Sequence, residues 1–210
     1  MVRSAANLRA AGIERILIGT GYLADVYERC FRDAPDVTCI ATDRFDSTGS
    51  LSTLYHLRDW IREGFLLLES DLFYERSALA AVLDDPRPDL ILASEPTRAG
   101  DEVFIEADPH GNLVNLSKDA ARLRRVDAEL VGVSKLSFAC AEALFRFCET
   151  ALADQPRLEY EEGLARLAAR RPIAVLRVDD LAWCEIDDER QYERAVREVL
   201  PRIDERDGAS

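Results

Sequence analysis

The sequence predicts one mixed α/β domain, its sheet mainly parallel with helices on both faces. Three observations carry that expectation. Short continuous apolar runs at 16–19, 65–69 and 89–93 read as strands covered on both sides. Segments with apolar residues at helical spacing alternate with them, which implies strands of one direction joined by right-handed crossovers. A hydrophobic content of 48% beside 32% charged residues is that of a chain that packs a core, and 210 residues suffice for one core without a second.

Taken in order, residues 4–10 end a helix near Gly12, where a glycine can stop it. The run Ile16-Leu17-Ile18-Gly19 is a strand broken by Thr20-Gly21, and Leu23, Val26, Tyr27 and Cys30 mark a helix. Val37 to Ala41 is β-branched and strand-like. A polar loop follows, then an amphipathic helix through Leu51, Leu54, Tyr55, Leu57 and Ile61, with Ser47, Thr48 or Ser50 as its cap. The run 65–69 ends in Ser70-Asp71, a helix covers 76–83, and 89–93 is the next strand. Residues 103–106 and 113–116 flank a Pro/Gly/Asn turn and read as a hairpin. Strand character returns at 131–135, helices at 138–152 and 160–169, strands at 173–178 and 181–186, and a helix at 189–199. The expected domain is 1–203, and the acidic stretch 204–210 is expected to be a disordered tail.

A formal charge of −13 argues against nonspecific nucleic-acid binding, which needs basic surface, yet leaves room for small phosphorylated ligands. The five cysteines (30, 39, 140, 148 and 184) have no metal-ligand spacing, and an odd count points to free thiols in a reducing compartment. No apolar run approaches the ~20 residues that span a bilayer, and residues 1–8 lack the apolar core of a secretion signal. The expected location is cytoplasmic.

In open sheets, ligands gather beyond the carboxyl ends of the strands. Asp71, just past the run 65–69, either points into that crevice as a ligand to a divalent cation or caps the following helix. Glu185 and Asp187 are two apart, so on a strand both carboxylates face one side, unless Asp187 or Asp188 only caps the helix near 189. Among 27 basic residues only Lys118 and Lys135 are lysines, whose compact ammonium suits a phosphate or carboxylate when it is not plain surface charge. Thr20-Gly21-Tyr22 has no dinucleotide or P-loop spacing, His56 and His110 stand in no catalytic motif, and Ser70 is in no G-x-S-x-G elbow. Trp60 and Trp183 read as packing residues.

These stretches, in order and spacing, resemble the sugar-nucleotide-pyrophosphorylase type of nucleotidyltransferase, and most of all the phosphocholine and 2-aminoethylphosphonate cytidylyltransferases. Residues 8–22 are similar to the family's "GI-xx-I-x-I-x-x-GY" segment, and 47–54 to its "TNN-x-x-SL" loop, with Gly49 where that loop usually carries Asn. Residues 65–71 look like its strand ending in a metal-binding aspartate, 115–119 and 129–135 like its "I-x-K" and "GE-x-x-G-I-x-K" blocks, and 183–189 like its closing "W-x-E-I-D" block. The resemblance covers about residues 5–200.

What the resemblance implies is magnesium held by Asp71 and Asp187, with Glu185 as alternative or second ligand. Lys118 joins them as a catalytic group, and Glu129, Lys135, Thr48 and Ser50 are substrate-binding, with Lys118 and Glu129 facing the acceptor. The implied reaction moves CMP from CTP to a small phosphorylated alcohol or phosphonate, with release of pyrophosphate. A domain that binds nucleotide or a partner without catalysis, and a sugar-phosphate transferase using another triphosphate, are the alternatives. The family's opening strand, its "AAG-x-G-x-R" signature and its "PK" motif have no counterpart in these residues. Strand edges are therefore expected to lie open, for a second copy or a partner chain to cover.

Overall fold

The computed structural model describes residues 1–100 and 102–208. Its helices are Val2–Ala10 (α1), Ala24–Phe31 (α2), Ser50–His56 (α3), Arg76–Asp84 (α4), Phe138–Asp154 (α5), Tyr160–Ala168 (α6), Glu189–Arg194 (α7) and Leu200–Gly208 (α8). The strands are Ile16–Thr20 (β1), Val37–Ala41 (β2), Phe65–Leu68 (β3), Phe73–Tyr74 (β4), Leu90–Ser94 (β5), Phe104–Ala107 (β6), Leu113–Ser117 (β7), Ala128–Leu136 (β8), Ala174–Arg177 (β9) and Trp183–Cys184 (β10).

The expected mixed sheet between helices is present, and its centre is β8. One edge of β8 pairs antiparallel with β5, which pairs parallel with β9; the other edge pairs antiparallel with β3 over Val133–Leu136 and with β6 over Ala128–Glu129. β7 completes a hairpin with β6. Of the strands read as parallel, β3 and β5 do run in one direction, and β9 runs with β5, but β8 stands between β3 and β5. The ladders are therefore mostly antiparallel, a correction to the expected mainly parallel sheet. Strand–helix–strand rhythm fixes direction, not neighbours, and β8 is buried along its length except at Lys135, which suits a central place.

Alternation along β5 sorts the core. Ile91 and Ala93 face a cluster with Leu51, Leu144 and Leu164 from α3, α5 and α6. Leu90 and Leu92 face another with Leu8, Leu79 and Val82 from α1 and α4. β1 pairs parallel with β2 alone, in a ladder separate from the larger sheet. Among the described residues β1 and β3 each keep one unpaired edge, and all four residues of β3 are only half-buried. Trp183 is buried as expected, whereas Trp60 stands 47% exposed with its ring beside His56 rather than in the core.

The chain beyond Ile203 is not a disordered tail: α8 runs to Gly208, while residues 209 and 210 of that expected tail lie outside the described residues. Its charges, which looked like solvated polarity in sequence, are matched across the fold. Arg3 reaches Asp204 at 3.2 Å, Asp207 accepts from the Arg76 amide at 2.9 Å, and Arg206 meets the buried Glu75 at 3.1 Å. Ile203 is fully buried against Ala182, Cys184, Ala195 and Val199. Ile203→Ala should therefore lower unfolding free energy by about 2–4 kcal/mol in urea titrations, as for other buried large-to-small changes. A change under ~0.5 kcal/mol would mean that the tail is loose after all.

Candidate functional site

Beyond the carboxyl end of β3 the chain turns through Glu69, Ser70 and Asp71. A short antiparallel ladder then pairs Phe73 with Cys184 and Tyr74 with Trp183. Continuing along it, the Ile186 amide donates to the Asp71 carbonyl at 3.1 Å. That bond brings the loop carrying Asp187 onto the turn carrying Asp71. Burial, and then the charge of Asp187, push the Asp71 carboxyl above its ordinary range, against a backbone hydrogen bond and Lys118 that pull it down. Asp71 Oδ1 is buried with no hydrogen-bond partner.

Glu69 lies beneath this pair. Its amide donates to the Gly132 carbonyl at 3.1 Å, and its carboxylate packs over Gly132, where a Cβ would overlap Oε2. Gly132 also has φ +81°, a conformation that side chains disfavour, so glycine is required here twice over. The buried Tyr160 hydroxyl donates to Glu69 Oε1 at 2.6 Å. Burial pushes the Glu69 carboxyl up; the Tyr160 bond lowers it, the Asp71 charge raises it again, and Glu185 and Lys118 stand close enough to contribute. Lys118, just past β7, thus sits among Glu69, Asp71 and Glu161.

Sequence reasoning brought Asp71, Asp187, Glu185 and Lys118 to one end of the sheet, and the structure gathers them there. Glu129 is on the same side but buried and engaged: both of its carboxylate oxygens accept from Thr97, one from the amide and one from the hydroxyl. A narrow cleft lined by Thr97, Glu129, Trp183, Glu185, Gln191 and Arg194 opens beside it. Lys135 is elsewhere. It pairs with Leu66 and Leu90 toward the opposite end of those strands, and its ammonium donates to the Asp85 carbonyl, so its expected role at the substrate is corrected to a tie on the end of α4.

Ser50 and Thr48 are already occupied by contacts within the fold. The Thr48 hydroxyl donates to the Arg44 carbonyl at 2.7 Å. The Ser50 hydroxyl donates to Glu159 and accepts from the Tyr160 amide at 2.9 Å, which fastens α3 to α6. Gly49 is explained by the same contact, since a Cβ there would overlap the Leu158 carbonyl. Glu69, Tyr160 and Glu161 were missed from sequence. The one available signal was the capping-box spacing of Glu159 and Glu162, which marks where α6 begins and so where Tyr160 points.

Among the described residues no three His, Cys, Asp or Glu side chains stand together as a ready metal cage. The chain's own residues nonetheless fit a hard cation. Asp71 and Asp187 offer two adjacent carboxylates with one orphaned oxygen, and magnesium commonly takes one or two carboxylates plus water and phosphate oxygens. No helix among the described residues is long and apolar enough to cross a membrane.

No family model matches the chain. It is 22% identical over 195 residues to a CMP-5'-(3-aminopropyl)phosphonate synthase of Streptomyces rubellomurinus, covering 87% of this chain and about a third (31%) of that relative's length. The fold superposes on the inositol-1-phosphate CTP transferase of T. maritima with a TM-score of 0.77 at 15% identity, over 95% of this chain and 80% of that one. The CTP:phosphocholine cytidylyltransferase of Streptococcus pneumoniae gives 0.72 at 16% identity, over 93% and 82%. The chain therefore has the fold of these nucleotidyltransferases.

Glu161 supplies a test of the site's electrostatics. Burial first, against a backbone hydrogen bond, and then the Glu69 and Glu159 charges push its carboxyl up to about 7 from an ordinary 4.5. The native state thus holds this proton more tightly than the unfolded chain, and stability falls as pH rises from about 4.5 to about 7. Glu161→Gln should flatten that fall and be more stable than wild type at pH 8 by about 1–3 kcal/mol in denaturant titrations at both pH values. Equal pH slopes in the two proteins would contradict the assignment.

Proposed function

We propose that this protein is a magnesium-dependent nucleotidyltransferase that moves CMP from CTP to a small phosphorylated alcohol or phosphonate of the phosphocholine or 2-aminoethylphosphonate kind, releasing pyrophosphate. The observation that carries the reading is the meeting of Asp71 and Asp187 across the Ile186–Asp71 backbone bond, with Lys118 beside them. The curated relative and the two solved transferases supply the nucleotide: each is described by CMP or CTP. Inositol 1-phosphate, phosphocholine and an aminopropylphosphonate supply the acceptor class.

In this reading Asp71 and Asp187 hold the magnesium, with Glu185 as a further ligand. When bound, the cation neutralises phosphate charge at the reacting centre. An acceptor oxygen attacks the α-phosphorus of CTP; the new O–P bond forms as the bond to pyrophosphate breaks, and pyrophosphate leaves with the electron pair. A phosphate or phosphonate oxygen is already ionised near neutral pH, so no base need remove a proton. Lys118 offers its ammonium to the phosphate oxygens, and Glu69, fixed by Tyr160 and Gly132, supports the Asp71 turn from below. Glu129 and Trp183 line the cleft assigned to the acceptor headgroup, where a carboxylate and an aromatic ring suit an ammonium. Thr48 and Ser50 border the nucleotide.

A second copy of the chain or a partner chain lies along the open edges of β1 and β3 in this account. The five cysteines form no disulfide, which fits a reducing, cytoplasmic setting.

The test is pyrophosphate release with magnesium, CTP and phosphocholine or 2-aminoethylphosphonate, with a panel of other donors alongside. Asp71→Asn and Asp187→Asn should each lower kcat by about 100-fold or more. Wild-type turnover in both would overturn their assignment. CTP binding without turnover in the unaltered protein would move the reading to a non-catalytic nucleotide-binding domain.

A further inference from the structure

We propose that Gln191 is a positioning residue that holds Asp187 in the cation site, an inference that rests on the metal reading of Asp71 and Asp187 given above. Gln191 lies at the third position of α7, whose cap is Asp188. Two of its bonds make an ordinary capping box: its amide donates to Asp188 Oδ1 at 2.7 Å, and its side-chain Oε1 accepts from the Asp188 amide at 3.2 Å. A third bond goes further than a cap requires. The same Oε1 accepts from the Asp187 amide at 2.6 Å, a shorter bond than the one from the Asp188 amide.

The loop that carries Asp187 is thereby held from both sides. On the sheet side the Ile186 amide is tied to the Asp71 carbonyl, and on the helix side the next amide is tied to Gln191. Between these two anchors the Asp187 backbone has little freedom to rotate, so its carboxylate stays directed at Asp71. Gln191 itself sits on a firm base. The chain continues from α7 through a π-helical turn, Ala195–Val199, whose Ala195 and Val199 are buried against Ala182, Cys184 and Ile203. Gln191 also lines the cleft that contains Glu129 and Glu185, so one side chain links the position of Asp187 to the wall of the acceptor cleft.

A glutamine suits this work because its amide oxygen accepts two backbone donors without adding charge beside two carboxylates. Glutamate keeps that oxygen and the capping geometry; methionine keeps the length and the helix propensity but lacks the acceptor. The orientation of a metal-binding carboxylate commonly governs affinity 10–100-fold through the groups behind it.

The experiment titrates Mn2+ alone into the purified protein and reads free Mn2+ by electron paramagnetic resonance, well below each variant's melting temperature. Wild type, Gln191→Met, Gln191→Glu and Asp187→Asn are compared, with Gln191→Ala in place of Gln191→Met should the latter unfold. Gln191→Met should weaken Mn2+ binding by about 10–100-fold, whereas Gln191→Glu, which keeps the acceptor oxygen and adds a negative charge, should bind Mn2+ no more weakly than wild type. A helix cap and nothing more would move the melting temperature and leave Mn2+ affinity alone. Affinity within threefold in Gln191→Met, beside its loss in Asp187→Asn, overturns the positioning role and leaves the metal site standing. Unchanged affinity in Asp187→Asn overturns the metal site, and the proposal with it.

Discussion

The carboxyl end of the sheet depends on one small tie, the two-residue antiparallel ladder of β4 with β10 and its continuation from the Ile186 amide to the Asp71 carbonyl. Asp71 and Asp187 are 116 positions apart in the chain, and without that tie two like charges would separate into solvent. Burial of Asp71, and then the nearby Asp187 charge, leave a carboxyl whose ionised form is disfavoured and an oxygen with no hydrogen-bond partner. A cation between them would relieve both.

A second layer keeps that tie in place. Glu69 fills the space that Gly132 leaves free, Tyr160 fixes Glu69, and Ser50 with Glu159 fixes the start of α6. α3, α6 and the β3 turn are thus one hydrogen-bonded unit beneath the candidate site. On the far side α8 closes the fold, its Arg206 reaching both Glu75 and Asp180 while Ile203 plugs the third cluster. Disturbance of the C-terminal helix is therefore transmitted to Cys184 and so to the β10 ladder.

Much of this was legible in the sequence because most elements carry their own pattern. The apolar runs of β1, β3 and β5, the turn at Pro109 to Asn112 and the long helix after Ser137 each have a local physical cause, and the structure places them where the pattern did. Elements of two residues were not legible: β4 was missed, and β10 was read as part of a longer strand, because Phe73–Tyr74 shows no periodicity at all. The central place of β8 is a fact of tertiary pairing that no rhythm along the chain encodes. α8 was hidden because the partners of its acidic residues, Arg3 and Arg76, lie at least 131 positions away, so those residues looked merely solvated. At the candidate site, strand-end logic and the family resemblance pointed to Asp71, Asp187, Glu185 and Lys118, which the fold places at one end of the sheet. Lys135 was misplaced because a motif position does not say which end of a strand a side chain serves. Glu69 and Gln191 went unread because their contacts run through a glycine's missing Cβ and a single amide oxygen.

The central claim is that Asp71 and Asp187 together form a seat for a hard divalent cation. A crystal soaked in Mn2+ and measured for its anomalous signal tests this most directly. A peak is expected within coordination distance, about 2.0–2.6 Å, of a carboxylate oxygen of each residue. A clear anomalous map with Mn2+ bound elsewhere, and none between Asp71 and Asp187, would contradict it.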